Sequence, residues 1–460
     1  MSPPSPSAPP AARHGRSRHG WAQALATVLA GLLAMCVVAA LGLWAAGAAD
    51  LPDNAFPRVV AATVVMAVGG SMELSGDAGT LAETHAGVTV MPLSVALVGA
   101  LVVGAGFLRP LRPPRTTGTQ EATGERDAAA SRGPVPAREV VWWGVRIAVL
   151  WLAALVGLAF AARQTFAIDL GNGVLGAIGE LFGAQPEVGF TTHVPLTVGF
   201  GLLWLLGVSA LALLVVREVP LPARAARVRA SARPVAYAMV ALLLACVAVG
   251  LVVALVTAGT RGHPAQTFAL ILLGLPNLAW LAFTIGLGAA WDGRVDGPFG
   301  LPVPHLLDEV LRTPDVSTLD LSSLAEHDGR VWWLVVVDAA LVLGAAYLAA
   351  VRTPAPVLPW RHALRMAAGL VLTVLTVCLA GRVSAHYGLS LLGVGDVGGG
   401  LSGELLLRPR LWGALGLAAL WGMVTGFLGA LPSRPVPRPA EDLPAPPPPG
   451  PADHSGAPHV

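Results

Sequence analysis

The fold of this chain is decided by residues 21–46, WAQALATVLAGLLAMCVVAALGLWAA, a stretch without a single charged side chain. About 20 such residues cross the roughly 30 Å hydrocarbon core of a bilayer as one helix. A soluble protein has no core large enough for many helices of this kind. The sequence therefore predicts an all-α, polytopic transmembrane helix bundle of about eight spans, with up to three short re-entrant or interfacial helices. The other seven predicted spans are Val88–Leu108, Val140–Ala162, Val194–Val216, Val235–Ala258, Val331–Ala350, Ala367–Ala380 and Leu411–Leu431.

Composition supports a membrane protein. Hydrophobic residues make up 55% of the chain, charged residues 12%, and the mean hydropathy is +0.68. All 29 basic residues are arginine, which is typical of a high-GC bacterial coding sequence. A net charge of +2 gives no reason to expect a nucleic-acid partner. Without lysine no G-x-x-x-x-G-K-[ST] phosphate loop can form, so no nucleotide is expected.

The sequence offers no motif for a cofactor, a metal or catalysis. Cys36, Cys246 and Cys378 each lie alone in an apolar run, which favours small buried residues over a disulfide or a zinc site. Acidic residues and histidines such as Glu73 and His193 lie between the spans, but their irregular spacing favours solvated positions over metal ligands. No protease or oxidoreductase signature is present, so the sequence does not support an enzyme.

Arginines determine the predicted orientation. Most of them lie in alternate connections beginning with the N-terminal segment, and cytoplasmic connections carry the excess of positive charge. The first apolar run is longer than the apolar region of a signal peptide, so we interpret it as an uncleaved span. With an even number of spans, both termini are predicted to be cytoplasmic.

A ninth apolar run, Thr267–Ala290, makes the span count ambiguous, since arginine counting gives a similar asymmetry whether or not it crosses. Gly274, Pro276 and Asn277 interrupt it in the middle, which suits a helix that dips into the membrane and returns.

An internal repeat favours eight spans. Each predicted unit is a span out, a Gly-rich excursion with a short extended stretch, and a span back. Residues 33–39 (LAMCVVA) resemble 243–249 (LLACVAV), and 87–93 (GVTVMPL) resemble 189–196 (GFTTHVPL). Apolar half-runs, Pro57–Gly70 and Phe166–Gly183, occupy the same place in the first two units. The predicted membrane units are 21–108, 140–216, 235–351 and 352–431, with a basic loop at 217–234 and disordered segments at 1–20, 109–139 and 432–460.

Three residues are unusual for membrane depth. Asp338 lies about eight residues into its span, where an unpaired carboxylate costs several kcal/mol. Arg146 lies about eight residues into another span from the opposite side, so the two depths allow a pair that serves as a gate, a proton-coupled site or structural glue. Alternatively, Arg146 extends to the inner face beside Trp142 and Trp143. Asn277 either lines a cavity or caps a helix kink.

The chain resembles the streptophobe family, very hydrophobic multi-span proteins of actinomycetes whose activity is not characterised. The resemblance rests on residues 69–76 (GGSMELSG), 107–112 (FLRPLR), 273–280 (LGLPNLAW) and 398–404 (GGGLSGE), together with the overall pattern. It implies a bacterial plasma membrane and supplies no catalytic residue.

Two classes of function fit the sequence. The first is a transporter or channel for small solutes or ions, built around broken helices. The second is a non-transporting structural or accessory protein of the cell envelope. In both, the lipid bilayer is the expected partner. Asp338 facing a wet cavity favours the first class, and Asp338 sealed against Arg146 favours the second.

Overall fold

The computed structural model describes residues 20–50, 55–77, 82–111, 137–167, 187–215, 223–260, 264–295, 317–353, 358–391 and 403–431. The predicted disordered segments 1–20 and 109–139 fall outside these residues except at their edges, and 432–460 falls outside entirely. Most of the half-run Phe166–Gly183 also falls outside.

The described residues form a bundle of apolar helices, and nine of these helices are long and apolar enough to cross a membrane. This confirms a polytopic helical membrane protein. Two further helices, α2 and α8, are too short to cross. The helices are α1 (Trp21–Ala45), α2 (Phe56–Ala67), α3 (Leu93–Leu108), α4 (Ala137–Ala161), α5 (Val194–Val215), α6 (Ala223–Thr260), α7 (Pro264–Gly286), α8 (Leu321–His327), α9 (Trp333–Arg352), α10 (Pro359–Ala380) and α11 (Leu411–Ala430).

Two helices begin well before the apolar runs that predicted them. α6 starts at Ala223, inside the stretch predicted as a basic loop, and α10 starts at Pro359 rather than at Ala367. Helical hydrogen bonding does not stop at the membrane boundary, so arginine-bearing turns extend each span into the polar region. In α10 one such turn is also packed, because His362 is buried and its Nε2 lies 3.1 Å from the carbonyl oxygen of Ala346.

The excursions between outgoing and returning helices form one sheet, which the sequence did not predict. Its eight described strands follow the order β3-β4-β1-β2-β7-β8-β5-β6. The strands are β1 (Met72–Asp77), β2 (Ala82–Thr89), β3 (Gln164–Ala167), β4 (Glu187–Thr192), β5 (Trp291–Val295), β6 (Ser317–Leu319), β7 (Val383–Leu391) and β8 (Gly403–Pro409). An open sheet cannot lie in hydrocarbon, so the whole sheet lies on one side of the membrane core.

Sheet pairing follows the predicted repeat. Each of four units contributes two antiparallel strands. Along the sheet, the second strand of each unit pairs with the first strand of the neighbouring unit, as β4 with β1, β2 with β7 and β8 with β5. The similar stretches 87–93 and 189–196 occupy the same structural position, where the second strand of a unit passes into its returning helix.

The sheet also resolves the ambiguity at α7. Three helices, α5, α6 and α7, lie between β4 and β5. Because the chain leaves the sheet after β4 and returns to it at β5, it must cross the membrane an even number of times. One of the three helices therefore does not cross. α7 is the helix that does not cross: its last residue, Gly286, faces Asp338 near the start of α9, and Gly288 faces Leu417 near the start of α11. Because α9 and α11 both begin at the sheet, the end of α7 remains in the sheet-side part of the bundle.

The predicted break in this run is wrong in position. α7 is a continuous helix with Pro276 inside it, and the chain reverses after Gly288, whose φ is +95°. A proline within a membrane helix is tolerated where neighbouring groups satisfy the backbone. Pro276 removes the donor for the carbonyl oxygen of Leu272, and the carbonyl oxygen next to it, that of Ile271, accepts a hydrogen bond from the Ser94 hydroxyl on α3 at 2.9 Å.

The two halves of the chain share a detailed arrangement. α2 and α7 both end with a left-handed glycine, Gly69 and Gly288, that closes the helix by the paired backbone bonds of a Schellman motif. A strand begins three residues later in each case, β1 at Met72 and β5 at Trp291. A helix that is closed by a left-handed glycine and leads into the first strand of a unit is therefore a repeated element of this fold.

Two apolar cores correspond to these halves. One is built from α1, α2, α3, α4 and α5, and the other from α6, α7, α9, α10 and α11 with the adjoining strands. Trp280 of α7 packs against both, and Leu273 of α7 packs against the first. α7 therefore joins the two halves where the sheet meets the bundle.

Candidate functional site

Asn277 fastens α7 to the start of α3. Its Oδ1 accepts a hydrogen bond from the backbone N–H of Leu93 at 3.0 Å, and its Nδ2 donates to the carbonyl oxygen of Met91 at 2.8 Å. The N–H of Leu93 is one of the first-turn donors that a helix cannot satisfy internally. The side chain thus joins two helices that are far apart in sequence.

A cavity of about 850 Å³ lies beside this junction, between α7 and the sheet. Its walls come from the ends of α1 and α10, from α2, from the start of α3, from α7, and from strands β5 to β8. The lining is predominantly apolar, with Leu43, Met66, Leu270, Leu273, Trp291 and Leu405 among its residues. A volume of this size is typical of sites that enclose a small organic molecule.

Apart from Gln266 at the exposed rim, the polar side chains at this cavity have partners within the protein. Thr63 donates to the carbonyl oxygen of Val59 at 2.8 Å, and the indole N–H groups of Trp280 and Trp291 donate to the Leu243 carbonyl and the Thr284 hydroxyl at 3.1 and 3.0 Å. Both polar groups of Asn277 are also engaged. The interior is therefore suited to hydrocarbon rather than to a hydrated ion.

Asp338 lies away from this cavity. Its side chain is 4% exposed, packs in the second core, and has one carboxylate oxygen without a hydrogen-bond partner in the described structure. It faces Gly286 at the end of α7, where a Cβ atom would overlap the carboxylate. The absence of a side chain at Gly286 therefore makes room for Asp338.

Arg146 does not pair with Asp338, and the predicted couple is wrong. The guanidinium carbon of Arg146 lies 5.8 Å from the ring centroid of Trp21, at the end of the bundle opposite the sheet. Its helix, α4, packs against α1, α2 and α5, whereas α9 packs against α6, α7 and α11. The sequence gives each residue's depth but not its neighbours. The position of Arg146 fits the alternative in which its side chain extends to the membrane surface.

Equivalent side-chain pairs, one with a histidine and one with an arginine, connect the sheet to the returning helices of the two halves. Glu73, the second residue of β1, lies 2.7 Å from Nε2 of His193, which directly precedes α5. Asp292, the second residue of β5, lies 2.7 Å from Arg410, which directly precedes α11. The hydrogen bond with Asp292 raises the pKa of Arg410 above its ordinary value. These pairs are partly exposed, so each contributes little to the free energy of unfolding. Their matching positions are further evidence that the two halves share one arrangement.

The described residues contain no group of three histidine, cysteine or acidic side chains placed to hold a metal. Cys246 and Cys378 are buried and Cys36 is half-buried, and none forms a disulfide. The small-residue interpretation of the cysteines fits these positions.

Of the three residues that the sequence marks as unusual for membrane depth, only Asn277 lies at the cavity. The apolar lining was missed because leucine, methionine and valine there do not differ in type from those facing lipid. The pairing of the excursions into one sheet, which encloses the cavity, joins segments from opposite ends of the chain.

No family model, no curated protein and no solved structure matches this chain.

Proposed function

We propose that this chain is an integral protein of a bacterial plasma membrane that holds the apolar part of a lipid-like molecule in the cavity beneath the sheet. The observation that carries the proposal is the cavity itself, an apolar space of about 850 Å³ whose inner polar side chains, Thr63, Asn277, Trp280 and Trp291, are hydrogen-bonded within the protein. Apolar ligands gain free energy in proportion to the hydrocarbon surface they bury.

The position of Asp338 favours binding over ion transport. A transporter or channel for ions needs polar or charged groups along a hydrated path. Asp338 is the acidic residue best placed in depth for that role, yet it packs in the apolar core and is not among the residues that line the cavity. A lipid-holding protein belongs to the accessory class of envelope proteins and requires no passage.

We also propose that the sheet lies outside the cell and that both termini are cytoplasmic. The arginine distribution supports this orientation, since arginines are more abundant in the connections on the side opposite the sheet. Reporter fusions after Gly20 and after Gly450 are expected to give cytoplasmic signals. A periplasmic signal after Gly450 would contradict the return of α7 to the sheet side. Membership of the streptophobe family is likewise a proposal, supported by the stretches quoted above.

Photocrosslinking tests lipid binding. The purified protein in nanodiscs is loaded with a monoacylglycerol bearing a diazirine in its chain, irradiated and digested. We expect labelled peptides from α7 and from the start of α3. Ala269→Trp, at a buried cavity position, should abolish this labelling, and Leu270→Trp should do the same.

The matched control is Ala26→Trp, which adds the same side chain to an exposed position on α1 away from the cavity. Monodispersity and melting temperature establish that each variant is folded. Labelling that persists in both folded cavity variants would refute the proposal.

A further inference from the structure

The cavity has a mouth on one side. Among its lining residues only Ala46 and Gln266 are exposed, and all the others are buried or half-buried. Ala46 directly follows α1, and Gln266 is the third residue of α7. The mouth therefore lies between the sheet-side end of α1 and the beginning of α7.

This mouth lies beside exposed aromatic side chains. Trp44 is 66% exposed two residues before Ala46, and Phe268 is 50% exposed two residues after Gln266. Tryptophan concentrates where a membrane meets water, and large exposed apolar side chains at a helix end indicate contact with lipid. The exposed face of α1 continues toward the opposite side through Leu41, Val37 and Leu33. The opening is thus continuous with a lipid-facing surface.

Building on the proposed lipid-binding function, we propose that Ala46 and Gln266 form a lateral portal that admits a lipid directly from the sheet-side leaflet. The chain of the lipid passes between α1 and α7, and its polar end remains at Gln266. Entry from the side keeps the hydrocarbon out of water throughout, so no desolvated chain is exposed during loading.

The portal also indicates the head group. Gln266 provides an uncharged amide that donates and accepts hydrogen bonds, and the described lining residues include no charged side chain. Proteins that select anionic lipids place arginine or lysine at the head-group site. The portal therefore selects a lipid with a small, uncharged, hydrogen-bonding head over an anionic phospholipid.

Loading kinetics test the portal separately from the cavity. The nanodisc-reconstituted protein is mixed with vesicles carrying either the photoreactive monoacylglycerol or a phosphatidylglycerol with the same diazirine chain, and labelling is followed over time. In Ala46→Trp we expect uptake and release to slow together by about tenfold, because the indole must be displaced from the mouth in both directions. Uptake and release in Ala26→Trp should stay unchanged. Gln266→Leu should lower occupancy by the monoacylglycerol several-fold.

Each result bears on one claim. Unaltered rates in Ala46→Trp, with labelling still lost in Ala269→Trp, would overturn the portal and leave the cavity as the binding site. Equal loading of phosphatidylglycerol and monoacylglycerol would overturn the head-group selection. Full occupancy in Ala269→Trp would instead defeat the proposed function on which the portal rests. Ala26→Trp is the control for adding an indole outside the mouth.

Discussion

Gly422 of α11 lies against the backbone of α10, the closest approach of a glycine to another helix's backbone in the described part of the chain. A Cβ atom at this position would lie 2.5 Å from Cα of Ala367 and 2.8 Å from its backbone nitrogen, both on α10. Non-bonded carbon atoms prefer about 3.5–4.0 Å, so Gly422→Ala must push the two backbones apart by about 1 Å. Small residues at such crossings stabilise membrane helices because they let the backbones meet.

The expected cost follows from these distances. Overpacking of this kind costs about 1–3 kcal/mol, against a gain of up to about 1 kcal/mol from the better helix propensity of alanine. Gly416→Ala on the same helix is the control, since a Cβ there meets nothing within 4 Å. We therefore expect the control to be neutral or slightly stabilising, and Gly422→Ala to be less stable than the control by about 1–3 kcal/mol.

Unfolding by SDS titration, followed by circular dichroism in mixed micelles, measures the difference directly. Melting temperature in a mild detergent provides a second readout. If Gly422→Ala matched Gly416→Ala in both measurements, the inferred backbone contact between α10 and α11 would be wrong.

Two further predictions concern α7. Asn277→Leu should destabilise the protein by about 2–4 kcal/mol in the same SDS titration, because it strands the N–H of Leu93 and the carbonyl of Met91; an unaltered titration would show that water replaces the amide. Gly288→Ala should cost about 1–2 kcal/mol because its φ of +95° disfavours any side chain, whereas Gly344→Ala, within α9 and free of contacts, should not destabilise. Equal midpoints for these two alanine variants would argue against a left-handed conformation at Gly288.

The spans could be predicted from sequence because the bilayer imposes a length and an apolar composition that few soluble segments meet. The ends of the helices could not be predicted, since the polar first turns of α6 and α10 resemble loop sequence. His362 lies in such a turn, and its contact with Ala346 on α9 is visible only in the fold. The sequence anticipated that α7 does not cross but placed an interruption at Pro276, whereas α7 is continuous to Gly286 and the chain turns at Gly288. A proline removes one donor, whereas a left-handed glycine changes the direction of the chain.

The sheet could not be predicted from the sequence for a different reason. Its strands are short, rich in glycine and weakly alternating, so local pattern does not separate them from loops. Their pairing is also non-local, as where Thr89 lies opposite Ser384. Arg146 and Asp338 illustrate the same limit within the bundle, because equal depth in a membrane says nothing about which helices are neighbours.

The pairing of β2 with β7 has a consequence for biosynthesis. β3, β4, β1 and β2 are all translated before α6, so the first half can complete its part of the sheet early. β2 then remains an edge strand, with unpaired backbone groups, until β7 emerges near the end of translation. A chain arrested before Val383 would therefore expose β2 as an aggregation-prone edge strand, on the periplasmic side in the proposed orientation. The chain can also be divided between α5 and α6 into two polypeptides. Among the described strands, β2 with β7 is then the only pairing between the two polypeptides. Co-expressed fragments should therefore reassemble through β2 and β7.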